Sequence, residues 1–178
     1  MDKVTISLSG LQFHDYRYPP STVYPDRHVG WKVVKEIDPD EAPPEVRLKS
    51  GEILSVSATQ RDNLAGIAKQ AGIPTVRRID IWGLLLEPFL DTRFRREHRL
   101  RTITLLKANG VGTAERIRLR LTLAPALLAY NALHWDWCHL GLFDALDAHL
   151  GLDTKAFTKF YWRAMEIANR GREISKLS

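Results

Sequence analysis

The sequence predicts an α+β fold: a small N-terminal antiparallel sheet of three to four strands, followed by a bundle of five to six helices. Three observations carry that prediction. Apolar and polar residues alternate with period two in much of residues 1–57, the spacing turns helical from residue 58 onward, and 178 residues with 44% hydrophobic side chains can bury a core. We expect one domain over 1–178, comprising a β-rich part (1–57), a helical part (58–171) and a tail (172–178). With this composition, disorder and fibrous repeats are poor readings.

Val4, Ile6 and Leu8 alternate with Thr5, Ser7 and Ser9, which predicts a first strand that Gly10 ends or bulges. Tyr16 to Pro25 holds three prolines and reads as a loop. Trp31, Val33, Lys35 and Ile37 predict a second strand, and Asp38 to Glu45, with three prolines and four acids, an acidic connector. Val46–Leu48 and Ile53–Val56 flank Ser50-Gly51, the pattern of a hairpin whose glycine takes a positive φ.

Ser57 and Gln60 stand at capping-box spacing ahead of Leu64, Ile67, Ala68 and Ala71, and Gly72 with Pro74 ends that helix. Val76, Ile79, Gly83 and Leu86 predict another helix, closed at Glu87-Pro88. Asn63 to Arg78 has the look of a helix-turn-helix. Its turn is too short and the following segment too apolar for a DNA reader, so a plain helical hairpin is expected. Thr92 is placed to cap an arginine-rich helix that Asn109-Gly110 closes. Residues 113–124 fit either strand or helix, and the flanking helical patterns favour helix. Leu127 to His149 is apolar on nearly every face, as a central buried helix would be. Gly151 ends it, Asp153 or Thr154 caps the last helix, and Phe157, Phe160, Tyr161, Ala164 and Ala168 form its buried stripe.

The net charge of +5 is unevenly placed. Residues 93–120 hold nine Lys/Arg against two acids, giving +7, whereas 121–152 hold three acids and no Lys or Arg. Arg93, Arg95, Arg96, Arg99 and Arg101, joined by His98, are the densest cationic group. Guanidinium forks suit phosphates and carboxylates because they donate two parallel hydrogen bonds. The competing account is a solvated helix in which Glu97 pairs with Arg93 and Arg101, with Leu100, Ile103 and Leu106 facing the core.

Other candidates are less specific. His134, Asp136, Cys138 and His139 gather potential ligands and proton carriers within six residues. His134 and Cys138 share one helical face and Asp136 and His139 another, so a metal would need ligands from elsewhere, such as Glu87 or His98. Asp136 could orient His139 as a general base, or all four could form a buried polar network. Glu87, within Leu-Leu-Leu-Glu-Pro-Phe-Leu, would have a raised pKa if desolvated without a partner; alternatively it caps the segment from Pro88. Tyr16, Arg17, Tyr18 and Tyr24 make the first loop either a recognition surface or a cover for the sheet.

No P-loop, dinucleotide fingerprint, nucleophile elbow or zinc-protease motif is present, so the usual nucleotide, hydrolase and protease classes lose support. A single cysteine, Cys138, leaves no intramolecular disulfide and favours a reducing, cytoplasmic setting. The expectation is a soluble, non-enzymatic binding or regulatory module without a cofactor, whose arginine-rich helix meets nucleic acid or an acidic protein surface and which does not contact membrane. The alternatives are a small enzyme or metal protein centred on His134, Asp136, Cys138 and His139, or a homo-oligomer built on the apolar faces of Leu121 to Phe143.

Overall fold

A computed structural model of the chain describes residues 3–90, 95–133 and 140–174. The architecture is α+β, with two three-stranded antiparallel sheets and six α-helices among the described residues. The first sheet holds β1 (Lys3–Ser7), β2 (Gly10–His14) and β3 (Arg27–Gly30) in that order. The second holds β4 (Val34–Asp38), β5 (Glu45–Leu48) and β6 (Ile53–Ser55). Two of these strands, β2 and β3, were not expected. Gly10 opens β2 rather than ending β1, and its φ of 145° brings the backbone so close to Val29 that a Cβ would lie 2.2 Å from the Val29 carbonyl oxygen. Leu8 sits in the hairpin turn and is exposed. Trp31–Val33 is a single 3-10 turn, so the strand that it was expected to begin starts at Val34.

The β5–β6 hairpin forms as its turn chemistry requires, with Gly51 at φ 90°. Beyond β6, a 3-10 turn with Ser57 at its N-cap leads into α1 (Arg61–Gln70), which buries Leu64 and Ala68 and stops at Gly72, φ 71°. The chain does not turn back as a helical hairpin. After the turn at Ala71-Gly72, residues 73–80 run without helix beside the second sheet: Ile37 pairs in parallel with Thr75, and Arg78 bridges antiparallel to Glu173. The paired groups satisfy a backbone that Pro74 keeps out of a helix.

Helix α2 (Ile81–Leu86) is therefore short, but it takes the central position, packing against α3 (Arg96–Ala108), α4 (Thr113–Leu133), α5 (Leu142–His149) and α6 (Thr154–Ala168). Ile81, Trp82, Leu85 and Leu86 are all buried, and the Trp82 indole donates to the Ala164 carbonyl at 3.0 Å. Full burial of an aliphatic side chain of this size contributes about 1.5–3 kcal/mol. Residues 113–124 are helical. The expected single helix from Leu127 to His149 is broken ahead of α5, where Leu140 and the extended N-cap Gly141 are not helical, and α4, described as far as Leu133, runs through Pro125. Asp153 caps α6 through the amides of Lys155 and Ala156. Among the described residues, no helix is long and apolar enough to cross a membrane.

Candidate functional site

The two ends of α3 differ. Toward its C-terminus, Thr102 and Leu106 are buried and Asn109-Gly110 closes the helix, Gly110 at φ 78°. At the N-terminal end every residue from Arg95 to Arg101 is exposed, Leu100 included, so the expected inward face of Leu100 is corrected to begin at Thr102. Among the described residues, Arg95, Arg96, Arg99 and Arg101 enter no ion pair, and Glu97 does not pair with Arg101. Arg93, and with it the Glu97–Arg93 pair, lies outside the described residues, as does Thr92.

Several arginines elsewhere are engaged internally. Arg17 meets Asp147 at 2.8 Å, Arg47 meets Glu45 at 2.6 Å, and Arg163 and Arg170 share Glu115 and Glu166. Arg120 donates to the carbonyls of Leu84 and Leu85 at the end of α2, and burial holds its pKa below the ordinary value. The contrast makes the N-terminal end of α3 a concentrated cationic surface.

Glu87 anchors that helix. Its carboxylate contacts the His98 Nε2 at 2.7 Å and accepts from the Thr102 hydroxyl at 2.8 Å. It therefore has partners, unlike the unpaired acid considered from sequence, and its side chain ties the 3-10 turn Glu87–Phe89 to α3 instead of capping the segment at Pro88. Beside it opens a cleft of about 740 Å3 between the β4–β5 connector, residues 77–80, α2 and α3. Leu84, Leu90, Leu105 and Leu140 line it, with Arg77 and Arg101 among its charged groups.

Behind the cleft lies a polar cluster that sequence reasoning missed. Pairing of β4 with β5 sets Glu36 opposite Arg47 and Asp38 opposite Glu45, all four buried. Arg78 closes the cluster: its guanidinium meets both oxygens of Glu36, at 2.5 and 3.1 Å, and its amide donates to Asp38. Burial pushes Glu36 upward, but the Arg78 hydrogen bonds and charge outweigh it and leave its carboxyl below the ordinary value. Burial raises Asp38 and pushes Glu45 up to about 7 despite Arg47, with Glu41 and Asp80 adding to the rise. The available signal was a same-face set of charges, Glu36/Asp38 and Glu45/Arg47, on both strands of a buried pair.

In the first loop, Tyr16 and Tyr18 are only 1% exposed, so their rings are core: Tyr18 contacts Phe143, Phe157 and Tyr161, and its hydroxyl donates to Asp147 at 2.8 Å. Arg17 is engaged with the same carboxylate, and Tyr24 remains exposed. This packing removes Tyr16 and Tyr18 from any recognition surface. His134, Asp136, Cys138 and His139 lie outside the described residues. Among the described residues no group of three or more His, Cys, Asp or Glu could hold a metal ion. No protein-family model matches the chain, and neither do curated proteins or solved structures.

Proposed function

We propose that the chain is a binding or regulatory module whose arginine-rich helix contacts an anionic partner, either nucleic acid or an acidic protein surface. One observation carries the reading: Arg95, Arg96, Arg99 and Arg101 stand exposed on one end of α3 without internal counter-ions among the described residues, while Arg17, Arg47 and Arg78 are paired. Four like charges this close raise the local potential and steer anions toward the helix. The single cysteine accords with a cytoplasmic setting for such a module.

The test is the triple replacement Arg95→Glu/Arg96→Glu/Arg99→Glu, assayed against a labelled DNA duplex and against polyglutamate over a range of salt. Wild-type binding should weaken steeply with salt, by roughly 0.9 in log K per decade of salt for each phosphate neutralised on the duplex. The variant should lose most of that affinity and slope. Equal binding by variant and wild type removes the reading.

A second reading, self-association, is favoured by Ile117 and Leu121, which lie one turn apart on α4 and are 49% and 71% exposed. Sedimentation at several protein concentrations separates it, since a stable monomer throughout excludes it.

A further inference from the structure

The buried charges of β4 and β5 do not balance by themselves. Pairing of the two strands sets Asp38 directly opposite Glu45, 1% and 4% exposed, and like charges in that register repel. With Glu36 they make three carboxyls, and among the described residues two guanidiniums, Arg47 and Arg78, bond to them. Arg78 is held by both oxygens of Glu36 and also feels the charge of Glu173, while Arg47 meets Glu45 on one side and the neutral Asn169 on the other. Lys35 adds little, because it approaches Glu36 at 3.7 Å from a side chain 54% exposed, where water screens it. Asp38 accepts instead from two backbone amides, Arg78 at 3.0 Å and Asp40 at 3.3 Å. Two guanidiniums offset two carboxylates, so the cluster is neutral only when the third acid keeps its proton. Glu45 is that acid. The amide bonds to Asp38 oppose the effect of its burial, whereas Glu41 and Asp80 turn further negative charge toward Glu45 against Arg47.

The pair stands where the chain leaves the strands. Asp38 ends β4, Glu45 opens β5, and residues 39–44 connect them. That connector is held at one end by the Asp40 amide on Asp38 and at the other by the Pro44 carbonyl, which accepts from the Val56 amide at 2.9 Å. Between those ends, Asp40, Glu41 and Ala42 line the cleft beside α3. We propose that Glu45 is a proton switch for this connector: protonated, it leaves the cluster neutral and the connector closed, and ionised, it repels Asp38 and shifts the connector to an open arrangement that admits water and widens the cleft. The upward push on the Glu45 carboxyl, to about 7, accords with a proton held by the closed form. A water-exposed Glu45 titrates near 4.5, so opening becomes more favourable as pH rises from about 4.5 to 7 and levels off above it. The switch is independent of whether α3 contacts an anion.

The test follows amide hydrogen exchange of the full chain by NMR from about pH 5 to about pH 8, corrected for intrinsic rates, with and without low urea. Protection of the Asp40 and Val56 amides should fall by up to about tenfold per pH unit below about pH 7 and level off above it, without response to urea, because the opening is local. Amides within β2 and β3 should exchange far more slowly, and only through urea-sensitive unfolding. Glu45→Gln should hold Asp40 and Val56 at their low-pH protection throughout. Asp80→Asn keeps an N-cap side chain for α2 while removing a charge that faces Glu45, and should move the levelling point to lower pH; it carries the test if Glu45→Gln does not fold. Protection of Asp40 and Val56 that ignores pH, a fall confined to urea-sensitive unfolding, an unchanged fall in Glu45→Gln, or an unmoved levelling point in Asp80→Asn overturns the proposal.

Discussion

Glu52 is fully buried, yet its carboxylate accepts from the Ser21 hydroxyl, the Thr22 amide, the Thr22 hydroxyl and the Tyr161 hydroxyl. Four donors replace the water it has lost, and they join the first loop, the β5–β6 hairpin and α6 at one side chain. Removing the acid leaves those donors without their acceptor, each costing about 1–3 kcal/mol if it stays buried and unpaired. Glu52→Ala should therefore lower unfolding free energy in urea by more than Tyr161→Phe, which deletes one donor and should cost about 1–2 kcal/mol. Glu45 makes a different statement. Its carboxyl titrates at about 7 in the fold and near 4.5 when unfolded, so between those values the folded state holds the extra proton. Stability contributed by Glu45 is thus complete below about 4.5 and falls as pH rises toward 7. Burial also lowers the pKa of His149, so its contribution has the opposite sign, stability rising with pH below the ordinary 6.5. Comparing wild type with Glu45→Gln from pH 5 to pH 7 isolates the acid: the variant's stability should decline less as pH rises, and parallel curves would exclude the assignment.

At the scale of elements, what local spacing could show was the hairpin at Ser50-Gly51, the periodic helix α1, and α6 with its Asp153 cap, because each is specified by residues within a few positions of one another. Strand β3, with Val29 its buried apolar residue, carried too little alternation to announce itself, and its partner β2 supplies the pairing instead. The break ahead of α5 at Gly141 was hidden because residues 127–149 are apolar on nearly every helical face. Glycines mark the same distinction between local and distant causes. Gly66 lies exposed inside α1 with nothing within 4 Å of the place an added Cβ would take, so Gly66→Ala should stabilise by about 0.5–1 kcal/mol through chain entropy alone. Gly171 follows α6 where a Cβ would lie 2.2 Å from the Ile79 carbonyl oxygen, a contact with residues far away in sequence. Gly171→Ala should destabilise by about 1–3 kcal/mol, and urea midpoints moving in opposite directions for the two variants are the measurable outcome.

At the scale of the molecule, Arg78 is the junction that no local pattern could reveal, since it touches residues 42 and 93 positions away. Its guanidinium holds Glu36 of β4 and donates to the Gly171 carbonyl after α6, while the flanking backbone pairs with residues 172–174. The sheet, the extended segment that enters α2, and the end of α6 are fixed together there, and the cleft wall containing Arg77 depends on that alignment. Arg78→Met removes the hydrogen-bonded cation and leaves Glu36, 5% exposed, with the looser Lys35 contact at 3.7 Å, a loss of up to about 3–5 kcal/mol when one member of a buried pair is deleted. Replacing both partners, as Arg78→Met/Glu36→Leu, relieves the stranded charge and should recover much of the loss. Urea unfolding of the wild type, the single variant and the double variant measures this directly. Recovery in the double variant would assign the single variant's loss to the uncompensated carboxylate, whereas equal losses would assign it to the missing contacts with Gly171 and the C-terminal bridge.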